Sequence, residues 1–438
     1  MSFIIDKQTL NDLEIPGKKG KRSVQSLFNE TKTKGGAEQI TELFQYPLDS
    51  AIAIKKRLDS FKFFSELDEQ FPINVVNLDL AEQYLLNTDE RTLLNREKDS
   101  FLQGIKDLIQ PNSQNQLLIL AIKAILIIGK ELDVFLKKIE KRALTSVFGE
   151  TFLELESLRD IIPVCENPKW KQLTEFDRYF RFEKREHLLR LLTLIYSLDV
   201  NMTVPRVAKI QKFVFPTVSD QSGSVLEIQG LRHPHLKGAI TNDIIAGCDE
   251  NLIFLTGVNM AGKSTFMKSF GIAVFLAHLG FPVPASRMTF SVFDGLLTTI
   301  NLSDNLSVGH SHFYAEVVRV RKMAEFIQKG KKMVIIVDEL FRGTNVKDAF
   351  DATVAIASAF SKKDTSVFMI STHIIEAGKV LGESHPTISF VFLPTIMKEG
   401  RPVYTYRLLK GISSDRHGML IVENEGILEL LNNNHRKI

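Results

Sequence analysis

The sequence predicts a multidomain fold, mostly α-helical in its first half and α/β in its second, and three observations carry the prediction. Between about Leu43 and Leu198 the apolar residues recur at three- and four-residue spacing, as in Val134, Phe135, Leu136, Ile139, Ala143 and Val147, with Lys and Glu on the other face. Near Thr203-Val204-Pro205 that pattern gives way to Pro205, Pro216 and the polar stretch 219–223, which break helices and mark a junction. Beyond it, short β-rich runs alternate with helical segments: Val225–Ile228, Leu252–Thr256, Val334–Val337 and Ser366–Ser371. The last three are continuously apolar, as in strands buried on both faces of a largely parallel sheet. The expected division is a helical domain over residues 1–215 and an α/β domain over 216–438. Within the second, Val403 to Leu408 alternates and predicts an edge strand.

A chain of 438 residues is long enough for two or three cores. Its 24% charged and 44% hydrophobic residues exclude global disorder. The net charge of +3 is too small to announce a nucleic-acid partner, so any such contact must come from local patches. Cys165 and Cys248 lie far apart without metal-ligand spacing and read as reduced thiols. The N-terminus lacks the pattern of a secretory signal. The longest apolar run, Leu117 to Gly129, is interrupted by Lys123 and falls short of the ~20 residues of a membrane span. A cytoplasmic protein without a membrane partner is expected.

The strand Leu252–Thr256 runs into Gly257-Val258-Asn259-Met260-Ala261-Gly262-Lys263-Ser264-Thr265, which fits GxxxxGK[ST], and a helix-like stretch, Phe266 to Leu279, follows. Glycines let such a loop turn tightly and aim its N–H groups at phosphates, and the helix N-terminus adds partial positive charge. The pattern predicts a phosphate-binding P-loop, the alternative being a Gly-rich strand-to-helix turn with no ligand: Lys263 is expected to reach the β- and γ-phosphates of a nucleotide and Ser264 to ligate Mg²⁺. Farther on, the apolar strand at 333–337 ends in Asp338-Glu339. A carboxylate at the carboxyl end of a parallel strand faces the ligand crevice. Asp338 is expected to hold Mg²⁺ and Glu339 to polarise the attacking water. Paired Asp-Glu suits the ABC-like branch of P-loop NTPases, which sandwich nucleotide between two subunits. His373, after the strand at 366–371, reads either as a γ-phosphate or water contact or as a plain surface histidine.

The loop Thr256-Gly257-Val258-Asn259-Met260-Ala261-Gly262-Lys263-Ser264-Thr265 resembles that of the MutS family, the DNA mismatch-repair ATPases. So do Arg232-His233-Pro234 ahead of it, Val283-Pro284-Ala285 after it, and Ser303-Asp304-Asn305-Leu306 with Gly309-His310-Ser311-His312-Phe313, which is similar to the family's signature loop. Asp338-Glu339-Leu340-Phe341-Arg342-Gly343-Thr344 is similar to its DE-x-x-RGT motif, Ser371-Thr372-His373 to its TH switch, and Gly411-Ile412-Ser413 with His417-Gly418 to its closing segment. More weakly, Asp6 to Ile15 and Asn29 to Ala37 look like the family's entry to a core helical lever domain.

The resemblance implies a homodimer with composite ATP sites, in which Ser311 reaches the γ-phosphate held by the other subunit. It also implies double-stranded or branched DNA as partner and a base contact near Ile240, which reads equally as a core isoleucine. The chain departs from the pattern at Asn345-Val346-Lys347 and at Ala349, and His310 and His312 flank Ser311 where Arg and Thr are common, which touches the contacts between subunits. The family's mismatch-binding and connector domains and its DNA clamp are expected to be absent. The triplets Phe28-Asn29-Glu30, Phe64-Ser65-Glu66 and Phe152-Leu153-Glu154 read as chance matches to the Phe-x-Glu wedge. The basic run Lys18-Lys19-Gly20-Lys21-Arg22 suits phosphate neutralisation or a solvated loop.

The expected function is therefore a Mg²⁺-dependent ATPase acting on DNA in repair, recombination or structure surveillance without reading mismatched bases. The alternative is a nucleotide-gated scaffold that engages protein partners with little turnover and no direct DNA role. The partner proteins are not legible.

Overall fold

The computed structural model describes residues 3–17, 22–94, 113–221, 223–258, 260–300, 312–341, 344–398, 401–413, 426 and 430. They form two compact units: Met1–Leu27, Leu43–Leu58 and Ala208–Ile438 make one, Phe28–Glu42 and Asp59–Val207 the other. The division is not the single cut at residue 215, because the first residues of the chain count with the α/β unit.

The α/β unit is built on a six-stranded sheet. Its strands are β4 (Leu252–Thr256), β6 (Gly295–Thr299), β7 (Met333–Val337), β8 (Val367–Ser371), β9 (Ile388–Phe392) and β12 (Leu409–Lys410), in the order β12-β9-β4-β8-β7-β6. All neighbours are parallel except the terminal β12–β9 pair. Every residue of β4, β6, β7 and β8 is buried. That is why these strands read as unbroken apolar runs: helices, Lys263–His278 and Val346–Ser361 among them, pack on them. A smaller sheet comprises β1 (Thr217–Val218), β2 (Val225–Leu231), β3 (Asn242–Gly247) and β5 (Arg287–Phe290), in the order β1-β5-β2-β3.

Two expectations need correction. The alternating run Val403 to Leu408 is not one edge strand: β11 (Arg401–Tyr404) pairs with β10 (Thr395–Lys398) in a separate ribbon, and the sheet's edge is formed by Leu409–Lys410. Tyr406, at φ 54°, breaks the run, and the Thr405 hydroxyl bonds the Pro394 carbonyl at 2.9 Å. Nor does Pro205 end a helix, since Arg185–Gln211 continues through it. The buried stripe Val200, Val204 and Val207 holds the helix together despite the missing donor.

At the opposite edge the outward groups of β6 meet the N-terminal segment. Ile4 bridges Gly295 in parallel fashion, donating to the Asp294 carbonyl (2.8 Å) and accepting from Leu296 N–H (2.9 Å). A Cβ at Gly295 would lie 2.5 Å from the Ile4 carbonyl oxygen, so glycine permits this approach. The helix Lys7–Asp12, N-capped by Asp6, follows directly.

The second unit is helical. Val75–Leu86, Ser113–Leu144, Gly149–Arg159 and Trp170–Arg178 enclose a core that includes Phe63, Phe64, Ile122, Leu132, Phe152, Phe180 and Ile195. Within that core Asp177 and Arg181 pair through two hydrogen bonds of 2.7 Å. The Tyr84 hydroxyl (2.7 Å) and the Leu94 N–H (2.8 Å) bind the same carboxylate, and Arg181 also reaches the Thr92 hydroxyl at 2.7 Å. A fully buried ion pair is tolerated because its hydrogen-bonding capacity is met in this way. A second clasp joins Asp199 to the N–H (2.8 Å) and hydroxyl (2.7 Å) of Thr33, whose oxygen accepts Gly36 N–H at the start of the helix Lys34–Gln45.

In the α/β unit the wholly buried His278 ends the helix Lys263–His278. Its Nδ1 lies 2.9 Å from the Val274 carbonyl and its Nε2 accepts Phe293 N–H at 3.0 Å, which together require the neutral Nδ1–H tautomer. Burial pushes its pKa down to about 4 from the ordinary 6.5. Between those values the unfolded chain binds a proton that the folded chain excludes, so this histidine's contribution is complete above pH 6.5 and shrinks as pH falls towards 4. The loss amounts to about 3 kcal/mol. Asp6 and Glu14, whose pKa values are depressed, lose their stabilisation only below their ordinary 3.8 and 4.5. Urea unfolding of the α/β unit at pH 7 and pH 4.7 is expected to show the drop, to which His233, likewise lowered to about 4, contributes, and His278→Gln, which keeps an acceptor and cannot titrate, to reduce it without abolishing it. An unchanged slope in that variant would refute the assignment.

Candidate functional site

The carboxyl ends of three adjacent strands bring the chemistry together. After β4 the backbone turns through Gly257 (φ 145°), Val258, Met260 (φ 69°), Ala261 and Gly262 (φ 100°), and the helix Lys263–His278 begins. Gly262 caps it in the left-handed region, where a Cβ would lie 3.0 Å from the Tyr406 ring. The first N–H groups of a helix have no partner within it, so they are donors aimed outward at this end. Asn259, part of the same expected loop, lies outside the described residues, as does Ser311.

Lys263 is buried, and its Nζ donates to the carbonyls of Gly257 (2.8 Å) and Val258 (3.2 Å). Burial lowers its pKa, and the carboxylates of Glu339 and Asp338 act against that shift. Ser264 and Thr265 are exposed at the helix start. Ser264 Oγ donates to Asp338 Oδ2 at 2.5 Å, across from β4 to the end of β7. The other carboxylate oxygen of Asp338 accepts the Ser371 hydroxyl from the end of β8, and Ser371 Oγ in turn accepts Glu339 N–H at 3.2 Å. The Asp338 N–H donates to Thr299 O at 2.8 Å. Glu339 sits at φ 51°, a conformation rare outside glycine, and this turn brings it to line the cavity above the loop.

That cavity, of about 540 Å³, is lined by the polar Lys263, Ser264, Thr265 and Glu339 and by Leu236, Ile240 and Tyr406, the Tyr406 ring lying beside Gly262. Tyr406 is held by Asn242, whose amide donates to the Tyr406 carbonyl (3.0 Å) and whose oxygen accepts Leu408 N–H (2.7 Å). His233, also on the wall, has its pKa pushed down to about 4, chiefly by burial and further by His235, with Glu14 acting the other way. The donors suit a polyanion, and the apolar side chains suit a flat ring. The serine hydroxyl and aspartate carboxylate converging on one point are the hard oxygen donors that a small divalent cation takes.

The structure therefore brings Gly257, Val258, Met260, Ala261, Gly262, Lys263, Ser264, Thr265, Asp338 and Glu339 into one place, with Ile240 on the same cavity wall. His373 is exposed and is not among the cavity's lining residues. Sequence reasoning did not single out Tyr406 or Asn242, nor Ser371 as a partner of Asp338. Tyr406 was concealed by the alternation Val403 to Leu408, which imitates a strand.

Residues 253–437 match the family model of MutS domain V. Over 260 residues the chain is 30% identical to the DNA mismatch repair protein MutS of Fusobacterium nucleatum, covering 58% of this chain and 28% of that protein. Over 298 residues it is 29% identical to the same-named protein of Geobacillus kaustophilus, covering 66% and 33%. The protein of Anaplasma phagocytophilum is 32% identical over 230 residues, covering 51% and 27%. The chain thus spans about a third or less of the length of these relatives.

Replacing Gly262 with alanine tests the loop geometry. The left-handed conformation costs a β-carbon about 1–2 kcal/mol, and the added atom presses on Tyr406. Gly262→Ala is expected to lower the denaturation midpoint of the α/β unit and to change Tyr406 fluorescence or NMR signals. A midpoint and spectrum equal to wild type would show that the turn is not as described.

Proposed function

The chain belongs to the MutS family, and from that premise we propose that it binds Mg²⁺-ATP at the β4 loop, hydrolyses it, and couples the cycle to DNA as a homodimer. The observation that carries the reading is the convergence of Lys263, Ser264, Asp338 and Glu339 at the carboxyl ends of β4 and β7, on a cavity that also offers an apolar wall. The loop N–H groups and Lys263 bind the phosphates, and Lys263 exchanges its two carbonyl partners for phosphate oxygens. Ser264 and Asp338 hold Mg²⁺, which neutralises phosphate charge when bound. Glu339 orients a water for attack on the γ-phosphorus and accepts its proton, as the bond from that phosphorus to the β,γ-bridging oxygen breaks and ADP leaves. Tyr406 and Ile240 flank the adenine.

Ser311 completes the site of the other subunit in this reading, and His373 joins it from the switch segment when the subunits meet. The helical unit, with its long helix Ser113–Leu144, transmits the opening and closing of the dimer to DNA. The division of labour proposed is helical lever and α/β engine, with a role in repair or in surveillance of DNA structure and no reading of mismatched bases.

Lys263→Ala is expected to weaken ATP binding by roughly 10- to 100-fold, the worth of a charge-assisted contact. Glu339→Gln should retain binding while turnover falls by roughly 10²–10⁴, the contribution of a positioned general base. Hydrolysis at the wild-type rate in both variants would sink the mechanism. ATP-dependent dimerisation with negligible turnover in the wild type would favour the scaffold instead.

For DNA, affinity for homoduplex, mismatched and branched duplexes is expected to fall steeply with salt and to be similar for matched and mismatched sequences. Absent or salt-independent binding would remove DNA from the proposal, and a clear preference for mismatches would overturn its last clause.

A further inference from the structure

Strand β6 ends the six-stranded sheet, yet its outward groups are met by side chains. Thr298 is held at every polar atom. Its N–H donates to Thr9 Oγ1 (3.0 Å), its carbonyl accepts from Arg319 Nη2 (2.7 Å), and its hydroxyl donates to Asp12 Oδ2 (2.7 Å). The same Asp12 oxygen accepts the Ile300 N–H at 2.9 Å. Asp12 is buried, and its second oxygen takes the Gln8 amide at 2.9 Å. Asp6 fastens the outside of the clasp, capping the helix through Thr9 N–H (3.0 Å) and pairing with Arg319 and with Lys322 (2.8 Å).

Between the two residues that Asp12 grips lies Thr299. Its carbonyl points the other way, across the ladder, and accepts the N–H of Asp338 at 2.8 Å. Asp338 is the residue whose carboxylate meets Ser264 and Ser371. A short series of contacts thus runs from a buried carboxylate on the N-terminal helix, through one peptide of β6, to the aspartate of the phosphate site.

The end of an edge strand is where a ladder opens first, because one neighbour holds it instead of two. Apolar packing would cover that end without setting the direction of any carbonyl. A carboxylate that accepts from residues on both sides of one peptide does set it. Burying that charge is unfavourable unless its hydrogen bonds are met. Asp12 accepts from the Thr298 hydroxyl and the Ile300 N–H, on the two residues flanking Thr299, as well as from Gln8 in its own helix.

We propose that Asp12 is a positioning residue for the site carboxylate: by clamping Thr298 and Ile300 it orients the Thr299 carbonyl, and through it the backbone that presents Asp338. The functional consequence rests on the reading of Asp338 as the Mg²⁺ ligand, whereas the structural link does not. Loss of the clamp loosens the Asp338 peptide and weakens the metal-dependent step, and leaves the loop around Lys263 intact.

The test uses the full chain and four variants: Asp12→Ala, Asp12→Asn, Thr298→Val, and Asp199→Asn, which disturbs a buried carboxylate in the helical unit. All are measured at a temperature where circular dichroism shows them folded. Hydrogen exchange of the segment 333–340 is expected to accelerate at the Asp338 amide by on the order of tenfold in Asp12→Ala. The effect should be smaller in Asp12→Asn, which keeps one acceptor, and absent in Asp199→Asn. The Mg²⁺ concentration for half-maximal ATP turnover should rise severalfold and kcat fall by roughly tenfold, with ATP affinity in EDTA within about twofold of wild type.

Unchanged exchange at Asp338 in folded Asp12→Ala overturns the proposal whatever the turnover. Faster exchange with an unchanged Mg²⁺ midpoint and kcat overturns it as well, by showing that the looseness does not reach the site. If the wild type shows no Mg²⁺-dependent turnover, the ATPase reading fails, and the exchange measurement still decides whether Asp12 holds Asp338. Should Asp12→Ala not fold, Asp12→Asn and the near-isosteric Thr298→Val decide by the same two readouts.

Discussion

The parallel pairing of β4 with β8, and of β8 with β7, is the constraint on which the site depends. Parallel neighbours share a direction, so their carboxyl ends come out side by side, and a ligand crevice forms where they do. Here the register sets Leu252 opposite Phe368 and Val334 opposite Val367, which brings the turn after β4, the acidic pair after β7 and Ser371 of β8 within hydrogen-bond reach. No single side chain achieves this. Because the strands are buried on both faces, a slip by one residue would bury polar strand ends and move Asp338 away from both serines.

Lys263 illustrates how the surrounding structure tunes one group. Its burial disfavours the charged form, and two carboxylates restore part of what burial removes. Two backbone carbonyls accept from the ammonium without neutralising it. A cation held in this manner is well prepared for a strong anion, since partners that are weaker than phosphate oxygens are the ones to be displaced.

Much of this was legible in the sequence where local chemistry dictates structure. The strands β4, β7 and β8 follow from their unbroken apolar runs, and the two ends of the turn follow from Gly257 and Gly262, which tolerate positive φ, whereas the positive φ of Met260 has no signal in its side chain. The limits appear where distant parts meet. Nothing in Ile4, Thr9 or Asp12 announces that they pair with residues 295 to 300, because a short polar helix has no period that names its neighbour. Pro205 misled for a related reason: a local breaker was outweighed by burial of the valines around it. Tyr406 misled because an alternating run describes a strand equally well whether or not one residue turns out of it.

The N-terminal contact with β6 also bears on how the chain comes to its fold during synthesis. Thr9 and Thr298 are 289 positions apart, so the first helix leaves the ribosome long before the strand it covers exists. The helical unit, all of whose residues precede β6, can organise in the interval, while the α/β sheet waits for its central strands. Until β6 appears, Asp12 is an ordinary solvated carboxylate. Its burial is among the closing events of assembly, and the edge of the sheet stays open to other chains until then.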